Sequence, residues 1–203
     1  MAEHTGENRI ILRGEVADPP ALSHRNHGVD YYAIPLRVPR LSGAEDLLNL
    51  ITADPSPELW RPGEWVELEG EVRSYNNRTG VGSRLVITVL VRAARRAHPG
   101  EGENRLVLAG VLCKPPVRRR TPLGREICDL LLAVNRPYGR ADYLPCIAWG
   151  SLAAFCGGME VGDSLRLEGR LQSREYRKMV DGQETIRTAY EISVMNLLSA
   201  PEE

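Results

Sequence analysis

Lysine is almost missing from this chain. Of 203 residues 26 are basic, and only Lys114 and Lys178 are lysine. The rest are arginine, whose planar guanidinium stacks on flat groups and forks onto phosphates as an ammonium cannot. A GC-rich genome gives the same bias. Long apolar runs are lacking too. None nears the roughly 20 residues that cross a bilayer as a helix, so no membrane partner is expected. Residues 1–7 are polar and carry no secretory h-region, so the expected location is cytoplasmic. Net charge is also lacking, at −1, which argues against a polyanion binder that works by overall charge. Cysteine is sparse. Cys113, Cys128, Cys146 and Cys156 form no C-x-x-C pair and have no histidine cluster beside them. They read as small buried hydrophobes in a reducing compartment, with no metal and no cofactor.

What the chain does have is a repeat. Asn8-Arg9-Ile10-Ile11-Leu12-Arg13-Gly14 returns 96 residues later as Asn104-Arg105-Leu106-Val107-Leu108-Ala109-Gly110. Pro19-Pro20 returns as Pro115-Pro116, Gly28 as Gly124, and Leu36-Arg37-Val38 as Leu132-Ala133-Val134. After a small gap, Val66-Glu67-Leu68-Glu69-Gly70 returns as Leu165-Arg166-Leu167-Glu168-Gly169. A period this long is a duplicated domain rather than a solenoid unit. The expected domains are 1–97 and 104–200, joined by a Pro/Gly/Glu linker over 98–103. Residues 1–103 hold 12 basic and 15 acidic residues, and residues 104–203 hold 14 and 12.

Both copies read as β. The first offers strands at 10–16, 31–38, 47–52, 66–72 and 85–91, the second at 106–112, 127–134, 143–149, 165–171 and 188–195. A helix fits only between the third and fourth strands, at Ser151–Cys156, where Gly157-Gly158 would end it as a C-cap. The matching stretch of the first copy holds barely one turn, and Trp60 there would plug the barrel. Five strands with a helix after the third is the layout of the OB-fold, a partly open Greek-key barrel. The predicted fold is therefore all-β, two tandem OB-folds.

OB-folds bind oligonucleotides on a strand face and its loops. Binding without sequence preference needs aromatic rings for bases and cations for phosphates. The second copy interleaves both. Its aromatics are Tyr138, Tyr143, Trp149 and Tyr176. Its cations include Arg105, Arg118-Arg119-Arg120, Arg136, Arg140, Arg166, Arg170, Arg174 and Arg177-Lys178. On the fourth strand Leu165, Leu167, Gly169 and Leu171 share one face, which leaves Arg166 and Arg170 on the other. The arginine triplet is expected on a loop. Trp149 shares strand parity with Tyr143, but Ile147 lies between them and suits a core equally well. Phe155 and Leu152 read as core.

These motifs resemble the bacterial single-stranded DNA-binding protein family. The likeness runs in order through Asn104–Leu108, the Arg120-Thr121-Pro122-Leu123-Gly124 turn, and Leu132-Ala133-Val134-Asn135-Arg136. It continues through Ala141–Gly150, then Leu167-Glu168-Gly169-Arg170-Leu171-Gln172-Ser173-Arg174-Glu175-Tyr176, and Asp181-Gly182-Gln183. The resemblance implies that Tyr143, Trp149 and Tyr176 stack on bases. It also implies single-stranded DNA as partner, in replication, recombination or repair, and no enzymatic activity. Members with one fold per chain form tetramers, so two folds per chain imply a homodimer presenting four. The family's acidic, Pro-Phe-containing tail tip has no match in Ser199-Ala200-Pro201-Glu202-Glu203, so recruitment of repair enzymes is not expected.

The first copy departs from the pattern. Leu47 stands where Tyr143 does, and Ala53 where Trp149 does. Glu67 and Glu71 replace Arg166 and Arg170, and a row of Glu67, Glu69 and Glu71 would repel phosphates. Arg9, Arg13, Tyr31, Arg37, Arg73, Tyr75 and Arg78 remain as secondary contacts. Trp65 serves either a subunit contact or partly exposed packing. The alternative function is a protein-interaction or primosome accessory subunit that binds DNA weakly. A nuclease is disfavoured, because no carboxylate cluster is tied to a His or Lys.

Overall fold

The computed structural model describes residues 7–77 and 84–198. Within them the chain folds as two compact units. One comprises residues 7–9, 105–171 and 190–198, the other Ile10–Asn104 with Gln172–Ala189.

The first repeat contributes six strands: β1 (Asn8–Val16), β2 (Ala21–Asn26), β3 (Val29–Pro39), β4 (Glu45–Thr52), β5 (Trp65–Asn76) and β6 (Leu85–Arg96). Their order is β2-β3-β4-β6-β5-β1, and β1 closes on β3. All these pairs are antiparallel except β4 with β6. Five of the strands make the OB barrel, and β2 is an added edge. It was not expected from sequence, because all six of its residues are exposed and show no alternation. The barrel strands do alternate, and they bury Ile10, Leu12, Ile34, Leu36, Leu48, Leu50, Val66, Leu68 and Val89.

The second repeat matches strand for strand. It has β7 (Glu103–Leu112), β8 (Val117–Arg120), β9 (Glu126–Arg136), β10 (Arg140–Trp149), helix α1 (Ser151–Cys156), β11 (Ser164–Val180) and β12 (Gln183–Leu197). The order is β7-β11-β12-β10-β9-β8, with β7 closing on β9. The expected tandem OB architecture is thus what the chain forms. Two details differ. The arginine triplet is strand β8 rather than a loop, because it pairs with β9 from Val117 opposite Asp129 to Arg120 opposite Glu126. The arms of the last hairpin run as strands up to Val180 and from Gln183.

Close strand crossings explain the repeated glycines. A Cβ on Gly14 would meet the Arg37 carbonyl oxygen at 2.3 Å, and one on Gly110 the Ala133 oxygen at 2.8 Å. Both lie where the first strand closes on the third. Gly70 and Gly169 are pressed in the same way against Leu90 and Ser193. A side chain at any of the four would push a barrel seam apart.

The helix expected in the second repeat is present, and Ala153 and Cys156 are its buried residues. Gly157 ends it without a left-handed turn. Its φ is −69°, and its N–H bonds Ala153 O at 3.0 Å. A Cβ there would fall 2.1 Å from Arg118 Cδ, so the exposed Arg118 side chain would have to move aside for any other residue. In the first repeat Trp60 takes the corresponding space. It is 1% exposed, and its indole N–H donates to Asp54 O at 2.8 Å.

Candidate nucleic-acid interface

Three adjacent strands build the face that carries two of the four expected aromatics, Tyr143 and Trp149. In the β8–β9–β10 ladder, Arg119 lies opposite Ile127, and Ile127 opposite Trp149. The next row is Val117, Asp129 and Ile147, followed by Leu131 with Pro145 and Ala133 with Tyr143. Residues directly opposite share a face, so these side chains form one surface. The other parity of β10, Asp142, Leu144, Cys146 and Ala148, is buried in the barrel. That decides the orientation of Trp149. It is 36% exposed and Tyr143 is 48% exposed, while Ile147 between them is covered at 4%. Six residues at about 3.3 Å each separate the two rings by about 20 Å.

The arginine triplet divides by parity. Arg119 joins the aromatic face and is held by Asp129, with Nε to Oδ2 at 2.5 Å and Nη2 to Oδ1 at 3.1 Å. This bond raises the Arg119 pKa. Arg118 and Arg120 point to the opposite side of the ladder, 3.5 and 3.4 Å from Glu126. The triplet and Glu126 line a shallow recess of about 300 Å³.

Other expected cations are also engaged. Arg136 grips Asp142, whose side chain is fully buried, with Nε to Oδ2 at 2.6 Å. Arg105 donates to Glu168 at 2.6 Å. This bond, with a second from Asn196, holds the Glu168 carboxyl below its usual range. Arg166 faces outward as parity required, but its Nε donates to Glu7 at 2.6 Å. Arg170 is half-buried on the same side. Arg140 is exposed and has no acidic partner among the described residues. Beside it Tyr138 sits on a single 3-10 turn, Pro137–Gly139, with φ of 65° and 99% exposure.

Tyr176, Arg174 and Lys178 lie on the hairpin Gln172–Ala189, which belongs to the unit of the first repeat. There Arg174 sits 6.0 Å above the Tyr176 ring, a cation–π distance. Lys178 is exposed, and Arg177 pairs with Glu184 at 3.4 Å.

The first repeat differs from its sequence reading in one respect. Its acidic row is largely neutralised. Glu67 is bound by Arg95, and Glu71 by Arg92 at 2.8 Å and by Arg73. Strand β6 supplies two of these arginines by lying against β5. The repulsion expected of the row is therefore much reduced. Leu47 is 45% exposed, so it keeps the outward position of Tyr143 without a ring. Ala53 is exposed beyond the end of β4. Tyr31 stacks on His24 with centroids 5.1 Å apart and planes 5° apart. Tyr75 is 52% exposed. Arg37 pairs with Glu15 and Glu45, Arg13 donates to His98 O at 2.7 Å, and Arg9 is exposed. Arg78 lies outside the described residues. Trp65 is half-buried at the start of β5.

Sequence reasoning missed the acidic partners, although one signal was available. Arg40 and Asp46 recur 96 residues later as Arg136 and Asp142, which marks a repeated ion pair. It also placed Phe155 in the core. Phe155 is 62% exposed, because the short helix buries Ala153 and Cys156 instead. Among the described residues no group of His, Cys, Asp and Glu could hold a metal ion. No helix among them is long and apolar enough to cross a membrane.

Fold and face together define a protein of two tandem OB-folds, one of which presents aromatics and cations on its outer strands. Residues 103–198, the second repeat, match the model of the single-strand binding protein family. Among curated relatives, "Single-stranded DNA-binding protein 3" of Listeria innocua is 36% identical over 80 residues, covering 36% of this chain and 50% of the relative. "Single-stranded DNA-binding protein A" of Bacillus subtilis is 36% identical over 80 residues, covering 36% and 46%. The chain thus spans about half the length of the curated relatives it matches. Among solved structures, the single-stranded DNA binding protein from Thermus aquaticus superposes with a TM-score of 0.78 at 20% identity, covering 98% of this chain and 95% of that one. A deletion mutant of it gives 0.77 at 22%, covering 98% and 97%. This second likeness is one of fold.

Proposed function

We propose that this protein binds single-stranded DNA without strong sequence preference, as a non-enzymatic coat in replication, recombination or repair. The observation that carries the reading is the pair of exposed rings, Trp149 and Tyr143, on one face of β10. Exposed rings accept bases by stacking, worth roughly 1–3 kcal/mol each. Tyr138 and Arg140 extend the surface, and Arg174, Tyr176 and Lys178 supply a second group of rings and cations on the hairpin. Arg105, Arg118, Arg119, Arg120, Arg136, Arg166 and Arg170 are weaker candidates, since six of these seven are held by carboxylates.

The test is titration of tryptophan fluorescence with oligo-dT against a duplex of equal length. Quenching by the single strand, with log affinity falling by about 0.7 per contacted phosphate per unit log salt, supports the reading. Equal affinity for both forms of DNA contradicts it.

The same ion pairs favour a second reading, a protein-interaction or primosome accessory subunit with weak DNA binding. Every guanidinium already bound to a carboxylate must give up that partner to take a phosphate. Absence of quenching by oligo-dT would favour this subunit role. In either reading we place the protein in the cytoplasm as a homodimer with four OB-folds, with half-buried Trp65 at the subunit contact. The domains 1–97 and 104–200 would be its folding units.

A further inference from the structure

Ser173 ties the hairpin Gln172–Ala189 to the first repeat. Ser173 uses its backbone N–H, its backbone carbonyl and its hydroxyl on a single cluster of the first repeat. Its N–H donates to Asp46 Oδ1 at 2.8 Å. Its hydroxyl accepts from Leu47 N at 3.0 Å and lies 3.5 Å from the same carboxylate oxygen. Its carbonyl accepts from Arg40 Nη2 at 3.4 Å. The seat is rigid. Asp46 is 1% exposed and is gripped by Arg40, with Nε to Oδ2 at 2.8 Å. A buried carboxylate needs its lone pairs filled, and one that loses a donor bears its desolvation cost unrelieved. Asp46 meets that need by binding a guanidinium and the backbone of Ser173 together.

We propose that the Arg40–Asp46 pair is a seat for Ser173, and that seating Ser173 positions the hairpin that carries Arg174, Tyr176 and Lys178. This rests on the single-strand reading for its consequence but not for its geometry. The first repeat then contributes to binding by holding a hairpin that the second repeat's sequence motif supplies. Arg174 follows Ser173 directly, and Tyr176 is three residues on. At about 3.3 Å per residue these groups lie within about 10 Å of the anchor, so a shift at Ser173 is passed to them almost undiminished. Asp46 and Ser173 are positioning residues, since neither needs to touch the strand.

The experiment is amide hydrogen exchange of the full chain without DNA, comparing wild type with Ser173→Ala and Asp46→Asn. Ser173→Ala keeps the buried ion pair and removes only the hydroxyl, so folding is retained. Peptides covering 172–189 should then exchange about tenfold faster, while those covering β1 and β3 stay unchanged. Asp46→Asn should accelerate the hairpin further. Unchanged hairpin exchange in both Ser173→Ala and Asp46→Asn would overturn the seat, whatever the protein binds. Oligo-dT titration of the same variant should show several-fold weaker binding and a shallower salt slope. Faster exchange with unaltered affinity would overturn the positioning role. Failure of the wild type to bind oligo-dT would instead remove the single-strand reading and leave the exchange result standing.

Discussion

Trp149 and Trp65 separate the two repeats at the scale of single residues. Trp149 projects from the outer face of β10, and Trp65 lies half-buried at the start of β5. Trp149→Ala should weaken oligo-dT binding by about 1–3 kcal/mol, roughly 5- to 150-fold. Trp65→Ala should leave affinity unchanged and lower the mass seen by sedimentation. The reverse pattern would move the site to the first repeat. The cysteines give a second test. Burial pushes the Cys156 thiol from its ordinary 9.0 up to about 11, and it pushes Cys146 up as well. A raised thiol pKa favours the neutral form in the folded chain. Its stabilising effect is complete below pH 9 and is lost as pH rises toward 11. Urea midpoints should therefore fall between about pH 9 and pH 11, and Cys156→Ala should flatten part of that fall. Cys113, half-buried with its thiol on Leu131 O at 3.2 Å, should be the first to react with a thiol reagent.

At the scale of elements, the repeated ion pair is a matter of stability. Asp142 is fully buried on β10 and is gripped by Arg136 at the end of β9. Removing one partner of such a pair costs about 3–5 kcal/mol. Asp142→Asn should therefore lower the denaturant midpoint sharply, and the folded fraction should still bind oligo-dT. The elements also show what sequence could and could not reveal. The barrel strands were legible because their apolar residues alternate, and α1 because an apolar turn is followed by glycines. Strands β2 and β8 were not. Ala21–Asn26 is exposed throughout and Val117–Arg120 is mostly arginine, so only pairing to the neighbouring strand makes them β. The outward parity of Trp149 could be read from Tyr143. The ion pairs could not, because Glu7 and Arg166 are 159 residues apart, and Glu67 meets Arg95 only once β6 lies on β5. Local pattern reports which face a side chain occupies. It does not report which charge lies across from it.

For the whole molecule, the duplication becomes a difference in roles on one frame. Both repeats keep the glycines at the barrel seams and the buried Arg–Asp pair. The second places Trp149 and Tyr143 where the first has Ala53 and Leu47. Many guanidiniums are held by carboxylates, and each of these would have to give up a partner before contacting a phosphate. The salt dependence of binding should therefore be modest, with a slope set by Arg140, Lys178 and a few neighbours rather than by all 26 basic residues. Arg140→Ala should reduce that slope by about 0.7.

The central claim is that exposed rings on the second repeat stack on unpaired bases. Fluorescence titration of the intact chain with oligo-dT and with a matched duplex, repeated on Trp149→Ala, tests it most directly. The account predicts strong quenching by the single strand, little by the duplex, and loss of most of the quenching in the variant. Full quenching by oligo-dT in Trp149→Ala, or equal response to both forms of DNA, would contradict it.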